Sequence, residues 1–199
     1  DSKTTLAEAT TFFEDLGSNG AIMIKAIAGG GGRGTRAVTK KEDIVEAFAR
    51  CESEAKNAFG RGDLYVEELI ARARHIEVQI VADAAGNIID LGERECSVQR
   101  RHQKIVEIAP APNLSAALRD RIIEASLKLA TAVDYRSLGT FEFLVDVNSK
   151  DRFAFIEVNA RLQVEHTVTE EVTGVDLVQA QLEIAGGATL PALGLDCAP

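Results

Sequence analysis

The stretch Phe153–Thr169, FAFIEVNARLQVEHTVT, decides how the rest of this chain is read. It begins as an apolar strand and ends as a polar run with no helical period. Two glutamates, an asparagine, an arginine, a glutamine and a histidine fall within it. Glu157 and Asn159 are two residues apart, so a strand puts both on one face. A plain core strand has no use for them there. A metal-binding or active-site segment does.

The strand that precedes it, Thr140–Asp146, supplies a partner. A tight turn with Ser149 and Lys150 at its tip sets Glu142 directly opposite Glu157. Opposed Cβ atoms lie about 4.5–5.5 Å apart, and like charges there repel. A divalent cation between them turns repulsion into binding. Carboxylate and amide oxygens suit Mg²⁺ or Mn²⁺, so Glu142, Glu157 and Asn159 are the candidate metal ligands. The plainer alternative is a solvated polar face. Phe141, Phe143, Leu144, Phe153, Phe155 and Ile156 argue against it.

Gly29, Gly31 and Gly34 formally match a dinucleotide fingerprint, but the glycine run lies between two strands with no helix start behind it. No Lys-Ser/Thr follows the last glycine, so this is no Walker A loop. The run is either a flexible hairpin tip or a loop whose backbone N–H groups approach phosphates. Lys25 at the end of the strand before it favours phosphates. A second cluster, Gln99–Lys104 (QRRHQK), is either a solvated face or an anion-binding wall. Glu165, close to Arg161, is a candidate general base. His166 reads as a structural histidine.

The coarse element order is mixed. Leu6–Leu16 reads as helix, Ala21–Ala28 and Thr35–Val38 as strands. Thr39–Glu42 has capping-box spacing ahead of a helix with Ile44, Phe48, Cys51, Ala55 and Phe59 on one face. Leu64–Leu69 reads as strand. From His75 to Ala82 polar and apolar residues alternate, Asp83–Asn87 turns, and Ile88–Leu91 returns. Glu93–Gln103 is very polar; Lys104–Ile108 resumes strand character. Ser115 caps a helix with a stripe of Leu118, Ile122, Ala125, Leu129 and Val133. A last helix spans Asp176–Ala185. Hairpins and helices alternating irregularly imply an α+β fold with largely antiparallel sheets.

Composition narrows the function classes. The chain has 199 residues, 46% hydrophobic and 27% charged, with a formal net charge of −9. That balance argues against nucleic-acid or anionic-membrane partners, which need a dense cationic face. Cys51, Cys96 and Cys197 make no zinc spacing, and a reducing compartment is expected. No apolar run is long enough to span a bilayer. The chain starts at Asp1 without a methionine, as expected of a piece of a longer protein.

Taken together these residues resemble the biotin carboxylase family, an ATP-grasp fold. The motifs are IKAIAGGGGRGTR (24–36), RHIEVQI (74–80), ERECSVQRRHQKIVEIAPAP (93–112), GTFEF (139–143) and IEVNARLQVEHTVTE (156–170). The resemblance runs through nearly the whole chain. It implies a lid subdomain over residues 1–68 and the first part of a central ATP-grasp domain over 69–199. It implies ATP- and bicarbonate-dependent carboxylation of biotin through carboxyphosphate. Lys25 and Gly30, Gly31 and Gly32 would hold ATP phosphates, and Glu67, Glu68 and Ile70 would lie near adenine. His75, Gln99 and His102 would contact the nucleotide, and Glu142, Glu157 and Asn159 would hold magnesium. Lys104, Arg161, Gln163 and Val164 would hold bicarbonate, Glu165 would deprotonate it, and Arg161 would also stabilise the biotin enolate. Other domains or subunits, including a biotin carrier, are the implied partners, in the cytoplasm or, in a eukaryote, the mitochondrial matrix.

Departures from the family pattern are Ala28, Thr35 and Glu68, around the lid and adenine pocket. Thr167, with HTVTEE and VEIAPA, leans toward the pyruvate carboxylase branch, multidomain acyl-CoA carboxylases being the close rival. The resemblance leaves the family's N-terminal domain and the end of its central domain outside this chain, which is therefore expected to fold at least in part but not to turn over alone. Two rival readings are another ATP-grasp ligase of the carbamoyl-phosphate synthase large-chain type and a non-catalytic nucleotide-binding module.

Overall fold

The computed structural model of the chain describes residues 3–17, 20–29, 34–101, 103–149 and 151–195. It divides into two compact units, Asp1–Ala71 and Arg72–Pro199. Gly30–Gly32 and His102 lie outside the described residues.

The first unit is a three-stranded antiparallel sheet in the order β2-β1-β3, formed by β1 (Ile22–Ala26), β2 (Thr35–Val38) and β3 (Leu64–Glu68), with helices α1 (Leu6–Asp15) and α2 (Ile44–Phe59) packed on it. Ile22 and Ile24 from β1, Leu64 from β3, and Ile44, Cys51 and Ala55 from α2 form its core, with Phe48 and Phe59 packed at its edge. The capping box expected at Thr39–Glu42 is absent. Lys40 leads into a single 3-10 turn, Lys41–Asp43, and neither it nor Asp43 makes a side-chain cap. A capping box forms instead at α1, where the Thr5 N–H donates to Glu8 Oε2 (2.7 Å) and the Glu8 N–H to Thr5 Oγ1 (3.3 Å). Gly34 closes the β1–β2 loop at φ +66°, where its missing Cβ would lie 3.0 Å from Ala26 Cβ. Left-handed backbone and close approach both select glycine there.

The second unit is built on a five-stranded antiparallel sheet in the order β6-β5-β4-β7-β8. Its strands are β4 (Ala73–Ala82), β5 (Ile88–Arg100), β6 (Gln103–Ile108), β7 (Ser137–Asp146) and β8 (Phe153–Asn159). Helix α3 (Ala116–Ala132) covers one face, packing on Ile76, Val78, Ile80, Phe141 and Phe143. On the other, α5 (Leu177–Ala185) covers Val81 and Leu138. Residues 76–82 of β4 are therefore all buried, and the alternation read in sequence separates two covered faces.

Three expectations change here. Strand β5 does not stop at Leu91 but runs through the polar stretch to Arg100. Three of its charges are paired: Glu93 accepts from Arg119 Nε at 2.8 Å, Arg94 donates to Glu77 at 2.6 Å, and Glu95 pairs with Arg74. The buried stripe of α3 is Leu118, Ile122, Ser126 and Ala130, while Leu129 and Val133 are exposed. Small side chains suit the close approach to Phe141 and Phe143, and Ser126 satisfies its hydroxyl on the Ile122 carbonyl (2.9 Å). The polar run after β8 is not without helix: α4 spans His166–Thr173. Among the described residues no helix is long and apolar enough to cross a membrane, and Cys51 and Cys96 are buried free thiols.

Candidate active site

The β7–β8 hairpin brings Glu142 opposite Glu157, as expected, but by another route. Near the turn the pairing is Val145↔Phe153, one residue off the tight-turn register, and the Asp146 N–H donates to the Arg152 carbonyl at 3.0 Å. A bulge at Ile156 restores the register, so Glu142, Phe141 and Thr140 meet Glu157, Val158 and Asn159. Bulges re-aim side chains in this way beside functional sites.

Glu142 is buried and Glu157 is exposed. Asn159 Nδ2 donates to both, at 3.0 and 3.3 Å, and Gln163 Nε2 donates to Glu142 Oε1 at 3.1 Å. His75 reaches the other Glu142 oxygen at 2.8 Å. Its tautomer follows from its neighbours. The Cys96 carbonyl can only accept, so the Gln99 amide must turn its nitrogen toward it (2.8 Å); that nitrogen also donates to His75 Nδ1 at 2.8 Å. Nδ1 is thus an acceptor, and Nε2 carries the hydrogen that Glu142 receives. Burial pushes the Glu142 carboxyl up, but His75, Lys104 and Gln163 overcome this and bring it down to about 2.

At the centre lies Lys104 on β6. Its ammonium donates to Glu77 Oε2 at 2.5 Å, to Glu142 Oε1 at 3.0 Å and to Glu165 Oε1. Burial pushes the ammonium down, but Glu77, Glu165 and Glu142 outweigh this and hold it well above an ordinary lysine. Lys104 is therefore a fixed cation at neutral pH, which suits anion binding and rules it out as the base. Glu165 is the N-cap residue of α4, where the helix start favours negative charge. Gln163 is buried, and its Oε1 has no hydrogen-bond partner.

The second unit thus gathers His75, Gln99, Lys104, Glu142, Glu157, Asn159, Gln163 and Glu165 into one polar cluster. Arg161 and Val164 sit exposed at its rim, Arg161 donating to Leu162 O and Asn159 Oδ1 and not reaching Glu165. His166 is structural, its Nδ1 bonding the Gln163 carbonyl at 2.8 Å. In the first unit, Lys25 is the penultimate residue of β1 and pairs with Glu67, its diagonal neighbour on β3, with Tyr65 beside it. Glu68 is exposed and Ile70 half-buried.

Sequence reading missed Glu77 and Arg94, both fully buried. Arg94 donates to Glu77, to Gln79 Oε1 (2.9 Å), to Thr169 Oγ1 (2.8 Å) and to Thr140 Oγ1 (3.3 Å). Glu77 lies between Arg94 and Lys104. The available signal was that Glu77 shares its strand face with His75 and Gln79.

Residues 1–193 match the family described as carbamoyl-phosphate synthase L chain, ATP binding domain. The chain is similar to pyruvate carboxylase 1 of Caenorhabditis elegans, 58% identical over 192 residues, which is 96% of this chain and 16% of that protein. It therefore spans about a sixth of that relative's length. Among solved structures it is similar to a biotin carboxylase–beta-gamma-ATP complex from Campylobacter jejuni, with TM-score 0.88 and 45% identity over 96% of this chain and 42% of that one. It is also similar to the biotin carboxylase domain of 2-oxoglutarate carboxylase from Hydrogenobacter thermophilus, in complex with MgADP, ADP and bicarbonate. There the TM-score is 0.85 and the identity 44%, over 94% and 40% of the two chains. The fold is α+β ATP-grasp. With its polar cluster carried on that fold, the chain belongs to the carbamoyl-phosphate synthase L chain, ATP binding domain family.

Proposed function

We propose that this chain is the ATP- and bicarbonate-handling part of a biotin-dependent carboxylase, residues 1–68 forming the lid and 69–199 part of the central domain. One observation carries the reading: a lysine locked as a cation among three carboxylates, beside a buried carbonyl oxygen, Gln163 Oε1, that lacks a donor. Bicarbonate supplies what that set wants. Its negative oxygens suit Lys104, and its hydroxyl is a donor.

An ammonium has three N–H donors, and all three are spent on Glu77, Glu142 and Glu165. Bicarbonate therefore enters by taking the place of one of them on Lys104. Releasing Glu165 frees a carboxylate, and the bicarbonate hydroxyl turns from Gln163 Oε1 to it and gives up its proton. The resulting oxygen attacks the γ-phosphorus of ATP; the bond to ADP breaks and carboxyphosphate forms. Its breakdown to CO₂ and phosphate supplies the carboxyl group for biotin, and Arg161 at the rim meets the biotin enolate.

Lys25 and the glycine loop hold the phosphates, Glu67, Glu68 and Ile70 lie near the adenine, and His75, Gln99 and His102 contact the nucleotide. Glu142, Glu157 and Asn159 fit a hard divalent cation: two opposed carboxylates and an amide. Mg²⁺ held by them would supply neutralisation of phosphate charge. Asn159 would turn its amide over to present oxygen. Lys104, Gln163 and Val164 complete the bicarbonate pocket.

The 58% identity to a pyruvate carboxylase supports pyruvate as final acceptor. Buried free thiols fit a reducing cytoplasm or mitochondrial matrix. The family model also favours a second reading, the carbamoyl-phosphate synthase reaction, which begins from the same carboxyphosphate. ADP formation by the full-length enzyme carrying this sequence tests both. Dependence on bicarbonate and biotin is expected; dependence on an ammonia donor instead would select the second.

A further inference from the structure

Arg94 is a charged side chain with no solvent exposure, and nothing in the chemistry above uses it. It stands directly across from Glu77 in the β4–β5 pairing. Burying an ion pair costs more than packing apolar groups of the same volume, so holding the sheet together does not explain it. Where its donors end is informative. Nε binds the carboxylate whose other oxygen holds Lys104. One Nη reaches Thr169 on α4, four residues after Glu165 and on the same helix face. That Nη also bonds Gln79, and the other bonds Thr140, fixing the plane of the guanidinium against the sheet.

Two parallel connections result. Lys104 and Arg94 flank Glu77 on the sheet; Glu165 and Thr169 face them from α4. We infer that Arg94 is a positioning residue for the bicarbonate step: by holding Glu77 and Thr169 together it sets where Lys104 and Glu165 meet. A lysine cannot replace it, because a single ammonium lacks the planar fork that spans β4 and α4 at once. The inference rests on the proposed bicarbonate chemistry.

The test is steady-state kinetics of ADP formation by the full-length enzyme carrying Arg94→Lys, Thr169→Val or Thr169→Ser, with a melting curve for each. Arg94→Lys is expected to lower kcat about tenfold or more, with KM for MgATP within about twofold. Thr169→Val, nearly isosteric but without the acceptor, is expected to raise KM for bicarbonate about fivefold, and Thr169→Ser to restore it to within about twofold of the parent. A merely structural role would lower melting temperatures and leave this KM split unmoved. If the unsubstituted enzyme shows no bicarbonate-dependent ADP formation, the functional reading itself fails. If it turns over and folded Arg94→Lys matches its kcat, Arg94 is not a positioning residue. Should Arg94→Lys fail to fold, the threonine pair decides: an unchanged bicarbonate KM in Thr169→Val overturns the inference.

Discussion

Glu142 and Glu157 are cross-strand partners, yet one is buried under His75, Lys104 and Gln163 and the other faces solvent. The buried member stays charged because its hydrogen-bond donors outweigh its desolvation. Among the described residues, the exposed member is linked to it through Asn159.

Metal binding should separate the two. Glu157→Gln is expected to weaken Mn²⁺ or Mg²⁺ binding about tenfold, with little change in stability, since substitutions at exposed positions usually stay within about 0.5 kcal/mol. Glu142→Gln is expected to abolish binding and also to lower the melting temperature, because Lys104 and His75 lose a buried acceptor. Titration of the chain with Mn²⁺, followed by electron paramagnetic resonance, reads the first effect. Equal affinity in Glu157→Gln and the parent would remove Glu157 from the ligand set.

Acid should destabilise the second unit. Asp83 is held below its ordinary 3.8: burial pushes it up, but bonds from Asn87, Leu190 and Ala85 outweigh that. Glu95, likewise, is held below its ordinary 4.5: burial raises it, and Arg74 and Ser97 outweigh the rise. A carboxyl whose folded pKa is depressed contributes its full stability above the unfolded value and loses it as pH falls through the folded one. Stability should therefore be flat above about pH 5, begin to fall below 4.5, and keep falling until the last of the Glu142 contribution is gone toward pH 2. Urea titrations between pH 7 and pH 2 measure this; stability that rose on acidification would contradict it.

Gly139 on β7 is an internal check of the packing. A Cβ there would sit 2.0 Å from Tyr135 Oη, whose hydroxyl donates to the Leu138 carbonyl at 3.0 Å. Gly139→Ala must displace the ring, which also packs edge-on against Phe141. A loss of about 2–3 kcal/mol is expected. Tyr135→Phe, which keeps the ring, should cost about 1 kcal/mol. Denaturant midpoints compare them, and a neutral Gly139→Ala would show that the loop carrying Tyr135 yields freely.

How much of this was legible in the sequence varies by element. Strand β8 and the Glu142–Glu157 pair were readable because polar residues two apart in an apolar run define a face. The turn register was off by one, and the Ile156 bulge hid the error, because no local signal marks a bulge in a run of apolar residues. Arg94 and Glu77 were not legible as a buried pair. Charges in β5 look solvated until the partner strand is known. Helix α4 was masked by its short length and by β-branched Thr167, Val168 and Thr169, which weaken helical preference. Its N-terminal Glu165 depends on tertiary contact with Lys104 for its geometry. Gly30–Gly32 and His102, expected at the phosphates and nucleotide, lie outside the described residues.

Glu165, held by Lys104 until bicarbonate arrives, is the proposed base. The most direct measurement is bicarbonate-dependent ADP formation by the full-length enzyme with Glu165→Gln, alongside nucleotide binding by the same variant. Turnover is expected to fall about a hundredfold or more, with nucleotide affinity within about twofold of the parent. Turnover near that of the parent would contradict that assignment.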